Sequence, residues 1–305
     1  LYLSEANALV IGNVAAIDVE RVLNSASTSV QAGSVLAGVV TAQNAKVEAG
    51  NGITVDNAVT ATAADLLLDA QGGNLAINAA LTAGGDASLL ASAGITQAAA
   101  GDVNVGGTLD VEAAGGDITM SNGALSTATG NVRYLATGNI TLGGINAANA
   151  VIDAGGSILD GGDDHREVVA TNLQLLAGID IGNAGNALDT EVTLLAADAG
   201  TGVVYINELD ELEIGSVAAI DVERVIINST TATQAGALLE GIQAGDDINV
   251  VADDMVVSRE VRSTAGDIFL RARAGSIDQT VADGAVIADA GNIELRADDG
   301  SIWLQ

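Results

Sequence analysis

AGDIFLRARAGSI, residues 265–277, returns 25 residues later as AGNIELRADDGSI, residues 290–302, with nine of thirteen positions identical. Ile268, Leu270 and Ala272 recur as Ile293, Leu295 and Ala297, at alternate positions. Between them Phe269 becomes Glu294, and just beyond them Arg273 becomes Asp298. A strand sends successive side chains to opposite faces, so the invariant aliphatic set faces a dry interior. The face that exchanges Phe for Glu faces water. Each unit opens on Ala-Gly and a small polar residue and closes on Gly-Ser-Ile, which places glycine at the corners. Strand, corner and strand, repeated with one face inward, predict the coil of a parallel β-solenoid.

Composition agrees. The 305 residues include no Pro, no Cys, 38 Gly and five aromatics: Tyr2, Tyr134, Tyr205, Phe269 and Trp303. In stacked coils most N–H groups donate to the next coil, so Pro would delete a ladder bond almost anywhere. At a usual share of about 5% Pro, its absence is not chance. A narrow interior suits small and branched aliphatics, whereas large aromatics would overpack it. The formal charge of −30 excludes a basic track for nucleic acid and disfavours anionic lipid. Nearly half the residues are apolar and alternate, which excludes disorder. No apolar run is long enough for a membrane helix. The absence of Cys is compatible with export.

A longer repeat is also present. Residues 1–36 match residues 204–239 at an offset of 203, and VAAIDVERV at 14–22 is unchanged at 217–225. The start, LYLSEANALVIG, reads as strand interior. The expectation is one domain over 1–305, itself a fragment of a longer tandem repeat protein. Coils of roughly 19–25 residues predict about 14 coils and a rod roughly 65–70 Å long at ~4.8 Å per coil. Residues 14–26 are Ala-rich enough to suggest helix, but Ile17 and Val19 alternate with Asp18 and Glu20. Two strands meeting at a corner or bulge fit better. Asn and Asp beside the corner Gly are expected to bond main chain and to stack from coil to coil.

Chemistry is sparse. The only His is His165, in GGDDHRE at 161–167, beside Asp163 and Asp164. One His without clustered partners falls short of a zinc pattern, and a solvated loop is the simpler reading. The pairs Asp246-Asp247, Asp253-Asp254 and Asp298-Asp299 could concern only a hard cation such as calcium. Adjacent strand residues point opposite ways, so a pair makes no chelate. Lys46 is the only Lys, the Arg residues are scattered, and no nucleophile elbow or phosphate loop occurs. Long loops that would wall a groove are not evident. Arg21 and Arg224 each sit beside an acidic pair, Asp18/Glu20 and Asp221/Glu223, and pairing with carboxylates on a neighbouring coil or simple surface exposure are the alternatives. No catalytic, cofactor-binding or metal residue is assigned, and an enzyme is not expected.

The units AGDIFLRARAGSI and AGNIELRADDGSI resemble the repeats of the filamentous haemagglutinin family, large exoproteins of two-partner secretion. The resemblance implies a right-handed parallel β-helix shaft, exported and displayed at a bacterial surface, in adhesion, biofilm or contact-dependent competition. The family's secretion domain carries Asn-Pro motifs, and a chain without Pro would be shaft only. Expected partners are further copies end to end or the rest of a larger exoprotein, and a host or neighbouring cell surface. A self-assembling extracellular filament or surface-layer component is the alternative, and a β-helical polysaccharide enzyme the third.

Overall fold

Every regular element among the described residues is a strand. The computed structural model describes residues 1–23, 27–162, 165–227, 231–280 and 283–305. A coil has three strands and short corners, as in Ala45–Ala49, Ile53–Val55 and Val59–Ala61. The next coil supplies Leu66–Ala70, Leu75–Ile77 and Leu81–Ala83. Each strand pairs in parallel with its counterpart one coil on: Ala45 with Leu66, Ile53 with Leu75, Val59 with Leu81. The chain is a parallel β-helix of about 12 turns, roughly 55 Å long at ~4.8 Å per coil.

The inward register is the one the repeat predicts. Ile268, Leu270 and Ala272 are buried, and they pair with Ile248, Val250 and Ala252 on one side and Ile293, Leu295 and Ala297 on the other. Phe269 is half-buried between Asn249 and Glu294 on the outer face. One continuous apolar cluster fills the column from Ile11 to Ile277.

The corners explain the Gly-Asp/Asn signature. A Cβ on Gly291 would lie 2.0 Å from the carbonyl oxygen of Gly266, so only glycine lets these corners stack. The side chains beside them form the expected ladders. Asn44 Oδ1 accepts from the N–H of Asp65, Asp65 Oδ1 from Asp86, and Asp86 Oδ1 from Thr108. Asp117, Asn139 and Ser157 repeat this on another corner, and Asp247, Asp267 and Asn292 on a third. Each bond satisfies a corner N–H that the strands leave open.

Three expectations are corrected. The coils number about 12, not 14, because residues 13–23 with 27–37, and 216–227 with 231–240, leave the column as antiparallel hairpins. Together they take up about two coils of chain. Within 14–26 one whole strand, Val19–Val22, and the end of another, Asn13–Val14, are present, and both belong to such a hairpin rather than to a corner of the column; residues 24–26 lie outside the described set. Long excursions are therefore present. Finally, one aromatic is fully inside. Tyr134 fits because Ser126 lies beside it: its hydroxyl donates to Ser126 Oγ at 2.7 Å, and Ser126 donates to Gln97 Oε1 at 3.1 Å. Gln97 Nε2 then donates to the Leu125 carbonyl. Burial pushes the Tyr134 hydroxyl up to about 12.

Candidate functional site: a hairpin seat and an acidic cluster

The outer face of the strands from Ala45–Ala49 onward is not uniformly wet. One ladder position runs from Lys46 through Leu67, Ser88 and Asp110 to Arg133. It continues through Val151 and Gln174 to Ala196. These outward residues are buried, Arg133 partly, because the hairpin at 216–240 runs along the axis and covers them.

The apolar part of the contact is Val217 and Ile220 against Val151 and Ala196, flanked by Leu176, Leu194 and Leu239. The polar part is matched coil by coil. Gln174 Nε2 lies 2.8–3.1 Å from the carbonyls of Val217, Ala218 and Ala237. Asn131 Nδ2 donates to the Asp221 carbonyl, and the N–H of Glu223 donates to Thr108 Oγ1. The N–H of Val225 donates to Ser88 Oγ at 2.8 Å, and Lys46 Nζ donates to the Ile226 carbonyl.

At the centre, Arg224 and Arg133 share two carboxylates. Arg224 Nε donates to Asp110 Oδ2 at 2.6 Å and its terminal nitrogen to Glu112. Arg133 donates to Asp110 Oδ1 at 2.8 Å and to Glu112 Oε2 at 3.0 Å. Burial alone would raise the Glu112 carboxyl, but Arg224 and Arg133 outweigh it and hold it below the usual range. The same carboxylates outweigh burial at Arg224 and raise it. Arg224 thus does pair with carboxylates, but not on a neighbouring coil: both lie on the strand Leu109–Ala113, 114 and 112 residues away. Among the described residues Arg21, its repeat equivalent, makes no ion pair.

The motif at 161–167 contributes through its last residue. Oxygens of Asp160, Glu167 and Asp189 lie within 4.8 Å of one another, with Asp160 and Glu167 buried. Glu167 Oε2 accepts from the N–H of Asp189 at 2.8 Å, while Oε1 is buried with no hydrogen-bond partner among the described residues. Asp160 Oδ1 accepts from the N–H of Gly162. Burial pushes the Glu167 carboxyl up to about 9, a bond from Asp189 opposes this, and the charges of Asp160 and Asp189 add to it. Such a cluster is neutralised by a proton, or by a hard divalent cation that takes carboxylate oxygens. His165 is exposed, and Asp163 and Asp164 lie outside the described residues. Alternation within Ile158–Asp160 marks Asp160 as an inward acid; no sequence signal brings Asp189 to it.

The acidic pairs lie at corners rather than within strands, Asp254 alone opening one, and their members bond different partners. Asp247 accepts from the N–H of Asp267, Asp254 from that of Ser276, and Asp253 pairs with Arg273 at 2.9 Å. Asp298 pairs with Arg271 and Arg296. An open groove of about 890 Å³ lies along Ala147, Thr171, Glu191, Asp210 and Asp253. Among the described residues its lining holds no aromatic residue and no His, and Glu191 is engaged by Arg166.

The fold and these surfaces define a repeat protein of the parallel β-helix class. Comparison with family models, with curated proteins and with solved structures returns no match.

Proposed function

We propose that the chain is shaft material of a secreted bacterial surface exoprotein, similar to filamentous haemagglutinin, which holds an adhesive region away from the cell. The observation that carries this reading is a 36-residue stretch, 1–36, that returns at 204–239, an offset of 203 residues along one parallel column. A repeat of that period adds length without adding a new site. The acidic skin supports it further, since self-repulsion keeps rods apart in solution. Its place is extracellular, its role structural and adhesive rather than enzymatic, and its partners are the rest of the exoprotein and a facing cell.

Electron microscopy of cells displaying the parent protein tests it. Excising residues 37–239, one repeat in register, is expected to shorten the projecting rod by roughly 40 Å. Attachment to the facing cell should weaken while surface display persists. An unchanged projection, or attachment independent of length, would sink the reading. The second reading, a self-assembling filament, rests on the parallel stacking itself, in which each strand pairs edge to edge with its counterpart one coil on, as Ile268–Ala272 does with Ile293–Ala297, a pairing that separate rods can continue. Continuous fibres in the same images would carry that reading instead. Loss of viscosity in a polysaccharide solution would carry the enzymatic one.

A further inference from the structure

The nonapeptide VAAIDVERV occurs twice in one chain and meets two different environments. Both copies build the same hairpin. Val19 pairs with Gln31 and Val22 with Thr28, as Val222 pairs with Gln234 and Val225 with Thr231. Asp18 Oδ1 accepts from the N–H of Gly33 at 2.8 Å, as Asp221 Oδ1 accepts from Gly236 at 2.8 Å. The difference lies in what covers them. Val217, Ile220, Val222 and Val225 are 1, 4, 1 and 0% exposed, whereas Val14, Ile17, Val19 and Val22 are 56, 72, 58 and 77% exposed. The hairpin's shape is therefore intrinsic, and its burial depends on a seat.

We propose that the hairpin at 13–37 is a clasp for the outer face of a further copy of this chain's own repeat unit, joined in line ahead of Leu1. The proposal goes beyond the adhesive reading and depends only on the repeat. The seat is known chemically, because hairpin 216–240 occupies one. Arg21 takes the carboxylate pair equivalent to Asp110 and Glu112. The N–H of Val22 takes the hydroxyl equivalent to Ser88. Val14 and Ile17 take the aliphatic floor equivalent to Val151 and Ala196. A separate 305-residue copy does not fit this role, since its own 216–240 hairpin already covers that face. Each clasp thus reaches back over the coils of the preceding unit. It ties neighbouring units together laterally, in addition to the strand pairing that joins them end to end.

The test extends the full chain. Residues 38–203 are placed ahead of residues 1–305, so that the clasp sequence at 13–37 stays unique and gains a seat in register. Hydrogen exchange is then compared between the extended and the 305-residue chains. The expected result is exchange in residues 14–22 slowed roughly a hundredfold or more in the extended chain, with residues 217–225 protected in both. Arg21→Glu in the extended chain should release much of that protection, and in the 305-residue chain it should change nothing. Equal exchange of residues 14–22 in both chains would overturn the proposal. Protection that rises with concentration in the 305-residue chain would overturn it too, by making a separate copy the occupant.

Discussion

Leu270 and Phe269 are neighbours in the chain and opposites in environment. Leu270 is buried in the column, and Phe269 lies on the outer face between Asn249 and Glu294. Leu270→Asp places a carboxylate in an apolar stack and is expected to cost more than about 4 kcal/mol. Phe269→Asp is expected to cost less than about 1 kcal/mol. Urea unfolding of the two variants checks this, and equal midpoints would refute the strand register. Glu167 gives a pH signature. Its folded value of about 9 lies above the ordinary 4.5, so the fold favours the protonated form. That contribution is fully present below about pH 4.5 and is lost as pH rises towards 9. Glu167→Gln, which keeps a neutral side chain, should melt higher than wild type at pH 8 and match it at pH 4.5. Repeating the scan with calcium separates a proton from a cation as the neutralising group.

At the scale of the element, the two hairpins are an internal control. Arg224→Ala leaves buried Asp110 with Arg133 alone and should cost about 1–3 kcal/mol. The loss should be local, read as faster hydrogen exchange in residues 217–225, because solenoid stability is distributed from coil to coil. Arg21→Ala in the same chain should be silent. The corners offer a second check. Gly106→Ala would set its Cβ 2.3 Å from the Gly84 carbonyl oxygen, so it should open the stack there and lower the melting temperature. The inward register and the corners were legible in the sequence because both repeat within a few residues, as in Ile268, Leu270, Ala272 and Gly266. The hairpin was not. Its Ile220 and Val222 alternate as a column strand would, and nothing local says that the alternation faces another sheet's exterior.

The whole molecule is a rod with a net charge of −30 and a pI near 4.1. Self-repulsion is strongest at neutral pH and low salt and vanishes near the pI. Acidifying from pH 7 to about pH 4 should bring self-association, seen by light scattering and weakened by dilution. Small-angle scattering at neutral pH should report an elongated particle roughly 55 Å along its main axis. A spherical particle of the same mass would contradict the stacking.

What the sequence determined by itself was the coil: which side chains point inward, where glycine turns the corner, and that neighbouring coils stack in parallel. These follow from alternation and short repeats, which are local. What only the tertiary structure decided was lateral. Arg224 reaches Asp110 across 114 residues, Glu167 meets Asp160 and Asp189, and one hairpin is seated while its twin is bare. Coil length varies along the chain, so positions stacked side by side have no constant spacing in sequence. Only the assembled column brings them into line.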